Sequence, residues 1–253
     1  MILKSALIIG NPTIKLEEID STNDHASRIL NEDDTIVDGT VIWALHQTKG
    51  RGQFDAKWLT NKAENLTMSI ILKPRQLHIK KQFYLSIISS LSLVALLKKH
   101  GIAAMIKWPN DIYVGKNKIA GILIQNSISG HDIQSSIVGI GLNVNQHTFH
   151  PSVPNPTSIS SESNKSHELA ILLKQLFLTF ESYYTMLNKG DLNSLKSEYL
   201  GFLYQKNKVA TYQKTDGTTF NGKIQSVDDS GLLQIEVEDS SIQSFSLKEI
   251  RFL

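Results

Sequence analysis

Two lysines, an aspartate and a rigid Trp-Pro step fall within fifteen residues of this 253-residue chain: Lys107-Trp108-Pro109-Asn110-Asp111, then Lys118 and Gly121. Apolar runs flank them, Ile102 to Ile106 before and Ile119 to Ile124 after, so the group reads as strand–turn–strand. A lysine at the edge of an apolar strand is costly to bury unless an anion meets it. The pattern suits a carboxylate or polyanionic ligand, and a plain hairpin with exposed lysines would use the same residues.

A second cationic group follows a strand end, at Gln47-Thr48-Lys49-Gly50-Arg51-Gly52. The glycines let backbone N–H groups converge on one point, and the arginine adds a bidentate donor for carboxylate or phosphate. It lacks the terminal Gly-Lys-Ser/Thr of a P-loop, and an exposed turn explains it about as well. Trp58 could stack on a base, although a core role is the stronger reading of that residue alone. Ser21-Thr22-Asn23 offers three small donors and acceptors that suit a neutral urea or amide ring, or simply cap a helix. Gly139-Ile140-Gly141-Leu142-Asn143 reads as a strand permitting close backbone approach, or as a bulge. His46, His78, His100, His131, His147, His150 and His167 show no metal-ligand spacing, and no serine–histidine–acid arrangement stands out.

These residues need a scaffold, and the chain supplies an irregular mixture of strands and helices. A helix starts at Ser21 and runs through Leu30. Val41, Trp43 and Leu45 mark a strand, Leu66 to Leu72 another closed by Pro74, and Ile137 to Val144 a third. Phe83, Ile87, Ile88, Leu91, Val94 and Leu97 recur at helical spacing, and Gly101 ends that helix. Ser166-His167-Glu168 opens a long amphipathic helix to about Leu187, and a shorter helix ends near Gly201. From Lys206 the texture becomes short strands broken at Asp216-Gly217, Asn221-Gly222 and Ser230-Gly231, a small barrel of five or six strands. The class is α+β, with a domain at 1–203 and a second at 204–253.

Composition narrows the field. Lys and Arg number 26 against 24 Asp and Glu, a net charge of +2 that argues against a general nucleic-acid binder. The absence of cysteine excludes disulfides, thiolate zinc sites and cysteine nucleophiles. No apolar run approaches the roughly eighteen residues of a membrane span. Met1 to Gly10 reads as an opening strand with no signal-peptide cleavage site, so a cytoplasmic location without membrane association is expected.

The order of the motifs is more telling than any one of them. Ser-Thr-Asn at 21–23, Gln-Thr-Lys-Gly-Arg-Gly at 47–52, Lys-Trp-Pro-Asn-Asp at 107–111, Lys118, Gly-Ile-Leu at 121–123, Gly-Ile-Gly-Leu-Asn-Val-Asn at 139–145 and Thr157-Ser158 occur in sequence. Together they resemble the biotin–protein ligases, over essentially the whole chain. That resemblance implies a central mixed sheet with helices, of the class II synthetase and biotin-ligase type. The end, Phe245 to Arg251, resembles that family's small C-terminal SH3-like barrel.

The activity implied is activation of biotin by ATP to biotinyl-5′-AMP, then transfer to one lysine of a biotin carboxyl carrier domain, for example that of acetyl-CoA carboxylase. Carried over, Ser21, Thr22 and Asn23 line the biotin pocket and Gln47 helps close it. Arg51 with the backbone of Gly50 and Gly52 holds the biotin carboxylate and the phosphate, and Lys118 bridges the same charges. Trp58 and Asn143 face the adenine, and Gln53, Lys107, Asn110 and Gly121 complete the binding set. Asp111 steers or deprotonates the incoming amine. Mg2+ accompanies ATP on phosphates and water, with no dedicated protein ligands. Relatives pair through sheet edges, so a homodimer is compatible with the resemblance.

Two departures stand out. Many members continue the glycine loop with further arginines and a glycine, whereas here it runs Gln53-Phe54-Asp55-Ala56, so a leakier adenylate is expected. Only about twenty residues precede Ser21, too few for a winged helix, so operator binding and repression are not expected. The nearest rival is a lipoate- or octanoate-attaching enzyme, which shares the adenylate logic. A non-catalytic adaptor using the C-terminal module is the rival of another class.

Overall fold

The structure is a computed structural model describing residues 7–53 and 56–253. Residues 40–44 and 65–72 are buried throughout, as strands of a sheet covered on both faces are, and successive side chains turn to opposite faces. Val41, Trp43, Ile70 and Leu72 join the main core, while Ile42, Ile71 and Ile137 pack with Ala26 on the opposite face. The sheet has seven strands: β1 (Thr13–Leu16), β2 (Thr40–Ala44), β3 (Asn65–Leu72), β4 (Ala104–Lys107), β5 (Asp111–Val114), β6 (Asn117–Ser129) and β7 (Asp132–Asn143). Their order is β1-β2-β3-β7-β6-β5-β4. β1 runs parallel to β2 and the other pairs are antiparallel, so the sheet is mixed.

Helix α1 (Thr22–Glu32) lies across β2, β3 and β7 on one face. Ser21 caps it, its hydroxyl accepting the Asp24 N–H, which fixes where the helix begins. Helix α2 (Phe83–Lys99) covers β4, β5 and β6, with α4 (Leu169–Asn188) and α5 (Leu192–Gly201) packed against it. Gly101, at φ +74°, follows α2 in the left-handed turn expected there. A short helix, α3 (Ile159–Ser163), caps on Ser158 and links the sheet to α4. Beyond α5, five strands form a second, wholly antiparallel sheet: β8 (Val209–Lys214), β9 (Thr219–Val227), β10 (Leu233–Val237), β11 (Ile242–Phe245) and β12 (Ile250–Phe252), ordered β11-β10-β9-β8-β12. The molecule is thus mixed α+β, with a central mixed sheet and a second antiparallel sheet.

Several expectations need correction. Of the strand expected at Met1 to Gly10, residues 1–6 lie outside those described and 7–10 form a bend and turn; the first strand among the described residues is β1. The hairpin carrying Lys107 and Lys118 is three strands with two turns, so the lysines stand two strands apart. Asn221-Gly222 breaks nothing and lies inside β9. A side chain on Gly222 would strike Ile235 of the neighbouring strand, so the glycine serves sheet packing and not a turn. The segment Ile79–Lys99 is, by length and composition, apolar enough to cross a membrane, contrary to the reading of the runs. It is two-thirds buried inside the protein, as a core helix is.

Candidate active site

The N-terminal end of α1 lies over the central sheet and carries the innermost polar residues. Ser21, Thr22 and Asn23 are all buried. Gln47 Oε1 accepts from the Thr22 N–H (2.7 Å) and hydroxyl (3.0 Å). The Ser69 hydroxyl on β3 is within hydrogen-bond distance of Thr22 Oγ1 (2.8 Å) and Asn23 Oδ1 (2.6 Å). Asn23 Nδ2 donates to Gln125 Oε1 at 3.0 Å. A buried network with its members paired is stiff, because an unpaired polar group there would cost about 1–3 kcal/mol. Ser69 belongs to it and Gln125 meets it at an exposed edge, and neither was legible in the sequence.

Glycines keep the floor open. Gly121 on β6 and Gly141 on β7 are register partners, and the Trp58 ring lies in the trough they leave. A side chain on Gly141 would collide with that ring, and one on Gly139 would collide with Asn23 Oδ1. Trp58 Nε1 is buried and has no hydrogen-bond partner among the described residues.

The cations approach from two sides. Lys118 extends from β6, its Nζ 2.6 Å from Asp111 Oδ1 and 5.6 Å from the centre of the Trp58 ring. Its backbone is clamped: its N–H donates to Asn155 O (2.7 Å), and its carbonyl accepts from the Thr157 N–H (3.0 Å). Asn110 pins the adjoining turn to β6, with Nδ2 donating to Ile122 O (2.7 Å) and its carbonyl accepting from Ile122 N–H (2.9 Å). From the other side comes the 48–58 loop, closed by Gly52 N–H to Ala56 O (2.7 Å) and Trp58 N–H to Gly50 O (2.9 Å). Arg51, on one arm of the loop opposite Lys57, pairs with Asp24 Oδ1 (2.5 Å).

These groups enclose a cavity of about 240 Å³ lined by Ser21, Thr22, Asn23, Gln47, Arg51, Gly52, Gln53, Trp58, Asn110, Asp111, Lys118 and Gly121 among others. A larger cavity of about 990 Å³ adjoins it and shares Gln47, Arg51, Ala56, Lys57 and Trp58. Lys57, on the wall between them, was not singled out from sequence. A polar, stiff recess opening onto three side-chain cations, Arg51, Lys57 and Lys118, can hold a neutral ring at its base and anionic groups at its mouth. Of the Gln53-Phe54-Asp55-Ala56 departure, Gln53 and Ala56 line the cavity, while Phe54 and Asp55 lie outside the described residues.

Three expected site residues stand apart from the first cavity. Gly50 lines only the larger one. Asn143 is buried and donates to the Thr157 carbonyl (2.9 Å), so it supports the strand-like segment that clamps Lys118. Lys107 points to the C-terminal sheet, its Nζ 4.6 Å from the Tyr113 ring centre and 5.2 Å from that of Phe252. Burial depresses the Lys107 pKa, Asp111 partly opposing and Lys118 adding to the effect. Its neighbour Trp108 also faces that sheet, Nε1 donating to Gly231 O (2.9 Å). Among the described residues no group of three or more His, Cys, Asp or Glu could hold a metal ion.

Residues 16–143, just over half of the chain, match the Biotin/lipoate A/B protein ligase family. The chain is 28% identical over 243 residues to the bifunctional ligase/repressor BirA of Bacillus spizizenii, covering 94% of this chain and 74% of that protein. It is 27% identical over 225 residues to the biotin–[acetyl-CoA-carboxylase] ligase of Paracoccus denitrificans, covering 86% and 91%. In fold it is similar to the biotin protein ligase of Aquifex aeolicus solved with biotin and ATP: TM-score 0.79, 24% identity, 95% and 98% of the two chains covered.

Proposed function

The chain belongs to the biotin/lipoate A/B protein ligase family, and from that membership and the cavity we propose that it is an ATP-dependent biotin–[acetyl-CoA-carboxylase] ligase. The observation that carries this is the polar base of Thr22, Asn23 and Gln47, held from behind by Ser69 and opening onto Lys118 and Arg51. A ureido ring can add hydrogen bonds to the amide and hydroxyl groups of such a base, whereas a dithiolane or an alkyl chain can add none. That favours biotin over lipoate or octanoate.

Two anions must meet in the first step. A carboxylate oxygen of biotin attacks the α-phosphorus of ATP, the bond to the bridging oxygen breaks, and pyrophosphate leaves. Lys118 faces both groups from the rigid strand side and spreads the charge that builds up between them. Arg51, with the backbone of Gly52 beside it and Gly50 on the outer cavity, holds the carboxylate and phosphate from the loop side. Trp58 and the larger cavity receive the nucleotide. Mg2+ would accompany ATP as its counter-ion and neutralise part of the phosphate charge.

In the second step a lysine amine of a carrier domain attacks the acyl carbon and AMP leaves. Asp111, paired with Lys118, receives the amine's proton or orients it; normal transfer from preformed adenylate by Asp111→Asn would refute that role. We also read residues 204–253 as an SH3-like module beside a catalytic domain at 1–203, supported by the five-strand antiparallel order.

ATP–pyrophosphate exchange tests the proposal, run with biotin, lipoate, octanoate and no acid. Exchange that requires biotin is expected. Exchange with lipoate or octanoate instead would move the chain to the other branch of its family, and none with any acid would revive the adaptor reading.

A further inference from the structure

Arg51 lines both cavities, but the carboxylate that holds it, Asp24, lines only the larger one. Asp24 stands on the first turn of α1, where the helix dipole favours a negative charge and the Ser21 cap fixes the backbone. Arg51 stands on one arm of a loop, its backbone bridged to Lys57 and its long side chain reaching out from there. The carboxylate is therefore fixed and the guanidinium is the partner able to move. About half of the Arg51 side chain and a third of that of Asp24 are exposed, so the pair is of the weak, exchangeable kind.

Resting on the biotin-ligase reading, we infer that Asp24 is an affinity-setting positioning residue, an internal carboxylate that competes with the substrate's carboxylate for Arg51. Without substrate it keeps the guanidinium at the boundary of the two cavities. When biotin enters, its carboxylate takes Arg51, and Asp24 is left facing the larger cavity and water. Lys118 lacks this freedom, because its pair with Asp111 is more enclosed and its backbone is clamped. The biotin affinity thus includes the loss of one weak ion pair, and removing the charge of Asp24 tightens binding.

The test is calorimetric titration of biotin and of biotinol, whose carboxylate is replaced by a neutral alcohol, into wild type, Asp24→Asn and the Asp24→Asn/Arg51→Ala double variant. Asparagine keeps the shape and removes the charge. Asp24→Asn should bind biotin about three- to fivefold more tightly, with biotinol unchanged and the gain absent in the double variant. Equal shifts for both ligands would show a merely structural role, and unchanged or weaker biotin binding would show that Asp24 organises Arg51 without competing. Either result overturns the inference. Wild type that bound neither molecule would overturn the biotin-ligase reading along with it.

Discussion

The two sides of the cavity are built differently. On the sheet side, Lys118, Asp111, Asn23 and the glycine floor are fixed by strand register, by the clamp through Asn155 and Thr157, and by a paired polar network. On the loop side, Arg51, Gly52, Lys57 and Trp58 belong to a short excursion held by a few backbone bonds and one exposed ion pair. Catalysis by charge stabilisation needs donors already aimed, since reorganisation during the reaction consumes the gain. Retention of an intermediate needs groups that can open and close. The difference assigns the chemistry to the sheet side, and substrate capture and adenylate retention to the loop side.

The largest effect should fall on the sheet side. Lys118→Met is expected to lower the biotin-dependent exchange rate about 10²- to 10³-fold, with the biotin dissociation constant changed far less. A variant that lost binding and rate equally would place Lys118 among ordinary binding groups. Next come the base residues. Asn23→Ala removes the buried amide that lines the cavity and should weaken biotin about ten- to a hundredfold, whereas Ser69→Ala, which removes one donor behind it, should cost less. Equal losses would mean that the network is not organised around Asn23.

On the loop side, Arg51→Ala should weaken biotin about tenfold and speed release of biotinyl-AMP, while single-turnover adenylation at saturating substrate falls little. The smallest effect on activity belongs to Lys107, which faces the C-terminal sheet. Lys107→Met should leave exchange within about twofold, inside the range expected of a residue outside the site. Its signature is in stability. Its folded pKa is below the ordinary 10.5, so between those values the unfolded chain binds more protons and stability rises with pH. Denaturation across that interval should show the rise in wild type and its reduction in Lys107→Met; identical slopes would remove Lys107 as the source.

How much was legible beforehand follows from the range over which each signal acts. The Ser21 cap, β3, α2 with its Gly101 stop, and β7 rest on neighbours within a turn or a strand, and they formed where expected. β1 was missed because its alternation, Thr13-Ile14-Lys15-Leu16, lasts only four residues, and α3 because five residues are too few for a helical period. Asn221-Gly222 misled because the same dipeptide that makes a turn also lets two strands approach. Within the site, Thr22, Gln47, Arg51 and Lys118 could be named from their motifs. Their partners Ser69, Gln125 and Asp24 could not, because those pairings join residues 27 to 102 positions apart and exist only once the sheet is assembled. Lys107 shares a motif with Asp111, and β4 with its aromatic neighbours turns it the other way.

The most direct test of the division between the two sides is a pair of single-turnover measurements on Lys118→Met and Arg51→Ala: the rate at which biotinyl-AMP forms on the enzyme, and the rate at which it escapes in a chase. Slow formation with near-normal escape is predicted for Lys118→Met, and near-normal formation with fast escape for Arg51→Ala. The same defect in both variants, or the two patterns exchanged, would contradict it.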